Sequence, residues 1–185
     1  IGKVSLVYLA VGTLSLGICL LLQGMAPVRS FFQSSCLFMA GFDTGGFTPQ
    51  AQSIIYYHSL PVELITIAFM ILGMFNFAVQ YEVWHRRPRE LLKNMETRVL
   101  TLSILVTLGL VLGGLVVAGT YSTFGATLRR GGYQLISGHS GTGFMTVYGT
   151  QMGMSWGDIA LFVLIIGMAL GGCACSTSGA IKAFR

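Results

Sequence analysis

Charged side chains are scarce in this sequence. Asp, Glu, Lys and Arg make up only 9% of its 185 residues, whereas 54% of the residues are hydrophobic and the mean hydropathy is +0.75. A soluble domain of this size carries about 25% charged residues. The composition therefore argues against a water-soluble fold and predicts a protein that crosses a lipid bilayer several times.

The sequence also lacks the residue patterns of enzymes and metal sites. No nucleophile–base pair and no cluster of His with acidic residues can be recognised in it. The four cysteines, Cys19, Cys36, Cys173 and Cys175, lie in apolar or re-entrant stretches without the spacing of a disulfide framework. Cys173-x-Cys175 could bind a soft metal, but no second ligand pair accompanies it, so we interpret both residues as small packing residues. The sequence thus predicts neither an enzyme nor a bound cofactor.

Four long apolar runs are candidates for membrane spans. At about 1.5 Å per residue, a run of roughly 20 residues can cross a hydrocarbon core of about 30 Å. The first run is too long for the apolar core of a signal peptide and no clear cleavage site follows it. We therefore interpret the chain as an internal piece of a longer polypeptide. The runs cover residues 4–25, 61–84, 99–121 and 156–175.

Basic residues are concentrated between the second and third runs. Five of the eleven Lys and Arg residues lie in the segment 85–98, which is typical of a cytoplasmic loop and does not indicate a nucleic-acid partner. If every run spans, eight basic residues fall on this side and three fall on the other, namely Arg29, Arg129 and Arg130. The N-terminus of the chain is therefore predicted to be cytoplasmic.

Each pair of runs is separated by a short helix-like stretch and a turn rich in Gly and Thr. The stretches 30–40 and 133–139 are too short to span, so we predict that they enter the membrane and return. The turns contain Gly46-Phe47 and Gly143-Phe144, about 42 and 44 residues after the start of the preceding run. This matched spacing predicts two parallel repeats, at 1–84 and 99–185, joined by the basic loop 85–98.

Irregular backbone at membrane depth favours a pore. Unpaired N–H and C=O groups cost several kcal/mol each in hydrocarbon, so such backbone persists only where protein buries it or water wets it. Glycines allow successive carbonyls to face one way, where they can replace the hydration shell of an alkali cation. For each turn, an ordinary glycine loop at the membrane surface remains the alternative. For the function, a secondary transporter of a small organic solute and a non-conducting membrane subunit remain open.

Three motifs resemble those of the Trk/Ktr/HKT superfamily of potassium-uptake proteins, and most of all its bacterial Trk-type pore subunit. The two turns resemble the second and third filter loops, and the run from Gly171 to Arg185 resembles the family's Gly-Gly-Cys-Ala-Gly-Ser-Thr-Gly-Gly-Gly segment. The resemblance implies an all-α membrane protein of tandem repeats, each a membrane helix, a re-entrant pore helix, a filter loop and a membrane helix. It implies that this chain holds the second and most of the third of four repeats. The implied ion-binding residues are Thr44, Gly45, Gly46, Phe47, Thr142, Gly143, Phe144 and Met145.

The same resemblance implies an activity and partners. K⁺, or Na⁺ in some branches, would be taken up across the cell (inner) membrane through backbone carbonyls of the filter, either as in a channel or by coupled symport. The protein would be a homodimer with a cytoplasmic ring of nucleotide-binding regulatory subunits, and Lys182 and Arg185 would lie on a cytoplasmic half-helix facing that partner. An intramembrane gate below the filter would comprise Gly171, Gly172, Cys173, Ala174, Cys175, Ser176, Thr177, Ser178, Gly179 and Ala180.

Asp43 and His139 lie beside the two turns and are expected to act on cations in opposite ways. Asp43 could attract cations at the outer mouth of the pore, whereas a charged His139 would repel them. Exposed vestibule positions without an effect on ions are the alternative for both residues.

Other residues in the runs suggest contacts between helices. Asn76 and Gln80 lie one turn apart and are expected to form hydrogen bonds to neighbouring helices. Glu63 lies near the end of its run and is expected at the membrane interface. Gly109, Gly113 and Gly114 are expected to allow close packing of helices, and Gly109 and Gly113 have the spacing typical of such small-residue contacts.

Overall fold

The structure is a computed structural model that describes residues 2–85 and 89–182. Within these ranges the regular secondary structure is helical, and a single isolated bridge joins Leu170 to Ile181. The predicted all-α fold is therefore confirmed. Arg86 and Arg87 of the basic loop, and Arg185 at the C-terminus, lie outside the described residues.

The two halves of the chain show the same order of elements, in which a long helix is followed by a helix of 16 or 17 residues, an irregular turn and a further helix. The first half contains α1 (Gly2–Leu22), α2 (Pro27–Phe42), a 3₁₀ turn (Ser53–Tyr57), α3 (Leu60–Met74) and α4 (Phe77–Trp84). The second half contains α5 (Arg89–Lys93), α6 (Met95–Val117), α7 (Phe124–Ser140), α8 (Gly149–Ser155) and α9 (Gly157–Ala169).

Only two of the four apolar runs form a single helix long enough to cross a membrane. These are α1, of 21 residues, and α6, of 23 residues. The run 61–84 is instead divided into α3 and α4, whose axes differ by 109°, and the run 156–175 yields the 13-residue α9 followed by irregular backbone. Counting apolar residues missed both interruptions, because one polar residue such as Asn76, or a pair of small residues such as Gly171 and Gly172, does not end an apolar run.

The two re-entrant helices are longer than predicted, because each begins at a residue suited to a helix start. Pro27 occupies the first turn of α2, where its fixed φ angle suits the helix and its missing N–H costs nothing. In α7, Thr123 is the N-cap and its side chain accepts a hydrogen bond from the N–H of Ala126 at 3.4 Å. The sequence placed these starts at residues 30 and 133, inside the observed helices.

Helix α2 packs between α1 and α3, and α7 packs against α3, α6 and α9, so that α3 and α7 join the two halves. Gly12 of α1 faces the ring of Phe38 on α2 with no room for a side chain. In the second half Gly114 makes the close approach, because a Cβ there would lie 3.1 Å from the backbone nitrogen of Ala160. The close packing expected of the three glycines is thus found at Gly114, whereas Gly109 and Gly113 have no neighbour within 4 Å in the direction of a Cβ among the described residues.

Candidate functional site

The first turn leaves α2 at Asp43 and is held by the last turn of that helix. The N–H groups of Gly45 and Gly46 both donate to the carbonyl oxygen of Ala40, at 2.9 and 3.2 Å. Thr44 and Gly46 have positive φ angles of 53° and 70°, in the left-handed region. Among the described residues, no hydrogen bond is formed to the carbonyl oxygens of Thr44, Gly45 or Gly46. These carbonyls are therefore available to a ligand.

The second turn is held in a similar way by α7. Gly141 and Gly143 have φ angles of 77° and 81°, and the N–H of Gly143 donates to the carbonyl of Ser137 at 3.2 Å. The hydroxyl of Ser137 in turn donates to the carbonyl of Phe144 at 2.7 Å. One buried serine of the helix thus holds two successive residues of the turn.

The backbone after the second turn is tied to the first half of the chain. The N–H of Met145 donates to Ser53 Oγ at 3.1 Å, and the carbonyl of Met145 accepts from the N–H of Ile55 at 3.1 Å. Gln134 Oε1, from α7, accepts from the N–H of Thr146 at 3.0 Å. The carbonyls of Phe144 and Met145 are therefore already used in holding the turn. Sequence reasoning missed Ser53, Ile55 and Gln134, which no motif marks.

The two turns meet directly at Gly46 and Thr142. The Cα of Gly46 lies so close to the carbonyl oxygen of Thr142 that a Cβ at position 46 would overlap this oxygen. Gly143, the corresponding glycine of the second turn, has no described atom within 4 Å in the same direction. The structure thus brings the two predicted groups of site residues together at Gly46 and Thr142. It leaves open space beside Gly143.

The phenylalanines that follow the two glycines have different environments. Phe144 is fully buried in the first half, where its ring would lie 3.4 Å from a Cβ at Gly41. Phe47 is 84% exposed in the described chain. Phe144 therefore belongs to the contact between the halves, whereas Phe47 extends beyond it.

His139 does not occupy the position expected for it. It is fully buried behind the second turn, with Nε2 3.3 Å from Ser103 Oγ of α6 and with Nδ1 lacking a partner among the described residues. It is therefore neither an exposed vestibule residue nor a residue facing ions. Asp43 is exposed at the C-terminal end of α2, and its effect on cations stays a prediction.

Glu63 and Arg129 form an ion pair that joins the halves. Arg129 Nε and Nη2 donate to the two carboxylate oxygens of Glu63, at 2.6 and 2.8 Å. The side chain of Glu63 is only 10% exposed, whereas that of Arg129 is 44% exposed. The carboxylate of Glu63 is therefore buried within the protein and paired through a bidentate contact that the sequence did not predict, and its position at the membrane interface stays a prediction.

The C-terminal loop, residues 170–182, is closed at its base by its own backbone. The N–H of Gly171 donates to the carbonyl of Ile181 at 2.7 Å, and the N–H of Ile181 donates to the carbonyl of Ala169 at 3.1 Å. A Cβ at Gly171 would overlap the carbonyl of Gly179. Lys182 follows this closure, and its side chain turns back onto the loop. The half-helix expected around Lys182 and Arg185 lies largely outside the described residues.

This loop fills the break between α3 and α4. The N–H of Cys173 donates to the carbonyl of Met74 at 3.0 Å, the N–H of Thr177 donates to the carbonyl of Gly73 at 3.1 Å, and the carbonyl of Cys175 accepts from Phe77 at 3.3 Å. The loop thereby satisfies backbone groups that the end of α3 and the start of α4 leave unpaired. The bend in the second run is possible because a distant segment provides these partners.

Asn76 and Gln80 stabilise the same break. Asn76 Oδ1 accepts from the N–H of Ala78 at 2.8 Å, so Asn76 is the N-cap of α4. Gln80 Nε2 donates to the carbonyls of Leu72 and Phe75 at 2.8 and 3.2 Å. Asn76 and Gln80 were expected to form hydrogen bonds to neighbouring helices. They instead bond mainly across the break between α3 and α4, although Asn76 Nδ2 also lies 3.5 Å from Glu96 of α6.

Two hydroxyls of the C-terminal loop reach the ends of both re-entrant helices. Thr177 Oγ1 donates to the carbonyl of Phe42 at 2.9 Å, and Ser178 Oγ donates to the carbonyl of Ser140 at 2.9 Å. Phe42 and Ser140 are the last residues of α2 and α7. The loop therefore touches the C-terminal ends from which the two turns start.

Comparison with known proteins gives relatives of one kind, although no family model matches the chain. The chain is 28% identical over 142 residues to the Trk system potassium uptake protein TrkH of Halomonas elongata, covering 76% of this chain and 28% of that protein. It is 28% identical over 174 residues to the Trk system potassium uptake protein TrkG of Escherichia coli, covering 91% of this chain and 33% of that protein. The chain spans about a third of the length of these curated relatives.

The fold is also that of a solved relative. The crystal structure of the potassium transporter TrkH from Vibrio parahaemolyticus matches with a TM-score of 0.77 and 23% identity, covering 94% of this chain and 36% of that chain. The resemblance inferred from the turns and the C-terminal motif is therefore confirmed. The chain is therefore similar to part of Trk potassium uptake proteins, and these relatives are named as transport proteins and not as enzymes.

Proposed function

We propose that this chain is part of a protein that takes up K⁺ through a filter of backbone carbonyls. The relationship to Trk potassium uptake proteins supports K⁺ as the transported ion. The observation that carries the proposal is the contact between Gly46 and the Thr142 carbonyl, where two turns containing left-handed backbone meet at the C-terminal ends of α2 and α7. An ordinary surface loop needs no such contact.

The ion ligands in this proposal are the carbonyls that the protein leaves free. In the first turn these belong to Thr44, Gly45 and Gly46, and in the second turn to Thr142 and Gly143. Phe144 and Met145 hold the second turn, because their carbonyls accept hydrogen bonds from Ser137 and Ile55. The C-terminal ends of α2 and α7 carry partial negative charge, which favours a cation next to the turns.

The C-terminal loop is the gate in this proposal. Thr177 and Ser178 engage the last carbonyls of α2 and α7, directly below the turns that start there. The base of the loop is pinned by two backbone hydrogen bonds at Ile181, so the tip at residues 173–179 can move while the base stays in place. Displacing the tip would free both carbonyls and open the path.

The chain is proposed to lie in the cytoplasmic membrane with its N-terminus inside, as the distribution of basic residues predicts. The two halves act as parallel repeats at 1–84 and 99–185, and further repeats of the same polypeptide complete the ring of carbonyls. The open direction at Gly143 and the exposed ring of Phe47 support such neighbours. A homodimer and a cytoplasmic ring of nucleotide-binding subunits, contacting the basic loop, complete the proposed assembly.

Flux through the full-length protein in proteoliposomes tests this function. Rb⁺ and K⁺ uptake should exceed that of protein-free liposomes, and Na⁺ should compete weakly. Gly143→Ala, Gly143→Ser and Gly143→Asp should lower K⁺ flux or relax the preference over Na⁺, because a Cβ at a φ angle of 81° strains the turn. Gly113→Ala, in an open position on α6, is the matched control and should leave both quantities unchanged.

Three results would count against different parts of the proposal. A correctly inserted parent protein without cation flux would contradict the pore and leave the solute transporter or the non-conducting subunit. Parental flux and selectivity in all three Gly143 variants would contradict the filter assignment alone. A preference for Na⁺ in the parent would keep the pore and change its ion.

A further inference from the structure

The side chain of Lys182 folds back into the C-terminal loop. Its Nζ donates to the carbonyl of Ser178, and it lies 3.4 Å from the carbonyl and 3.3 Å from the hydroxyl oxygen of Ser176. The ammonium group has three N–H donors and these contacts offer three oxygens. A side chain expected to face a cytoplasmic partner is instead held inside the loop by its own chain.

The oxygens around the ammonium are of the kind that binds a monovalent alkali cation. Two are backbone carbonyls and one is a hydroxyl, so the contacts come from neutral dipoles. Rings of such oxygens replace the water around a dehydrated K⁺ ion. The Lys182 ammonium carries the same single charge as K⁺.

The position of this group of oxygens connects it to the ion path. The carbonyl of Ser178 accepts a hydrogen bond from the ammonium of Lys182. The hydroxyl of Ser178 donates to the carbonyl of Ser140, the last residue of α7, and accepts from the N–H of Gly172 at 3.1 Å. The C-terminus of α7 carries a partial negative charge that stabilises a nearby cation. Ser178 is 2% exposed, so water screens this region poorly.

We propose that the C-terminal loop contains a cation site of its own, formed by the Ser176 carbonyl, the Ser176 hydroxyl and the Ser178 carbonyl, and that Lys182 fills this site as a tethered ion. The bound ammonium keeps the loop closed and repels a cation arriving from the filter. When the ammonium leaves, K⁺ takes its place on the same oxygens. The inference rests on the proposed function, because it places the site below a K⁺ filter.

The test compares variants of the full-length protein that keep or remove the charge. Lys182→Met and Lys182→Gln remove it, Lys182→Arg keeps it, and Lys3→Met makes the same charge change at an exposed residue of α1. In proteoliposomes, the two neutral variants should raise basal Rb⁺ flux roughly tenfold. They remove the positive charge of Lys182, which repels cations in a part of the ion path that water screens poorly. Lys3→Met should keep the parental flux, and Lys182→Arg, which keeps the charge, should raise flux by much less than the neutral variants do.

A binding measurement in detergent separates this inference from the proposed function. Transferring the protein from choline chloride to KCl should raise the Tm of the neutral variants by more than it raises the Tm of the parent, since the vacated oxygens accept K⁺. Ser176→Ala keeps the charge and removes one oxygen, so it should increase flux by less than Lys182→Met does and provides the test if the neutral variants fail to insert.

The outcomes are distinguishable. An inactive parent whose neutral variants still gain K⁺-dependent Tm would contradict the pore and retain the cation site. A conducting parent with folded neutral variants of unchanged flux and unchanged Tm response would overturn the site. Equal flux in Lys182→Arg and Lys182→Met would overturn the role of charge, and parental flux in Ser176→Ala would overturn the role of its hydroxyl.

Discussion

Gly46 faces the carbonyl oxygen of Thr142 with no space for a side chain between them. The contact links two residues that are almost a hundred positions apart in sequence and that each follow the end of a re-entrant helix. Gly46 also has a φ angle of 70°, so two independent reasons require glycine at this position.

The first prediction is that Gly46→Ala is more damaging than Gly143→Ala. Both alanines adopt left-handed backbone at a cost of about 1–2 kcal/mol, but only the alanine at 46 also overlaps the Thr142 oxygen. Gly46→Ala should therefore lower the Tm of the purified protein further and abolish K⁺ flux. Gly113→Ala serves as the control, because its position is open and alanine favours the helix. Equal Tm values for the two filter variants would contradict the close contact.

The second prediction concerns the ion pair between Glu63 and Arg129. Arg129→Met leaves a nearly buried carboxylate without its bidentate partner and should destabilise the protein by about 1–3 kcal/mol. Combining it with Glu63→Gln should recover part of this loss, as a double-mutant cycle of thermal unfolding would measure. Arg130→Met is the control, since Arg130 lies over the ring of Tyr121 and not against Glu63. Strictly additive effects of the two substitutions would show that the pair does not couple the halves.

The third prediction is the orientation of the chain. Single cysteines at Arg89 and Arg130, both exposed, should react with an impermeant thiol reagent from opposite sides of the membrane. Arg89 should be reached only from the cytoplasm and Arg130 only from outside, in a background free of other cysteines. Labelling of both positions from one side would contradict the topology.

The fourth prediction is that the hydroxyl of Thr177 holds the gate closed. Thr177→Val removes the bonds to the carbonyls of Phe42 and Gly73, worth about 1 kcal/mol, and should raise basal flux several-fold with ion preference retained. Thr101→Val is the matched control, because that hydroxyl bonds only within α6, to the carbonyl of Thr97.

Deleting residues 176–178 should have a larger effect of the same sign. The deletion removes both hydroxyls that reach the ends of α2 and α7, whereas the filter glycines stay in place. Flux measurements in proteoliposomes would check this expectation. A deletion protein that inserts normally and conducts no faster than its parent would rule out the gate.

The sequence by itself determined the membrane class, the helical content and the two irregular turns. A sequence with few charged residues and long apolar runs is incompatible with most soluble folds. Gly46 and Gly143 indicate irregular backbone, and both have left-handed φ angles in the structure. The C-terminal motif likewise marked the place where the last apolar run stops being helical, after Ala169. These features are local, so a local pattern can reveal them.

Tertiary structure alone decided which polar groups meet. Asn76 became a helix cap and the run around it bent by 109°, because backbone groups of a loop a hundred residues later fill the break. The packing of α7 against α3, α6 and α9 paired Glu63 with Arg129 in a largely buried contact and placed His139 behind the second turn. An unpaired buried polar group costs more free energy than most local preferences provide, so the position of its distant partner determines the local structure.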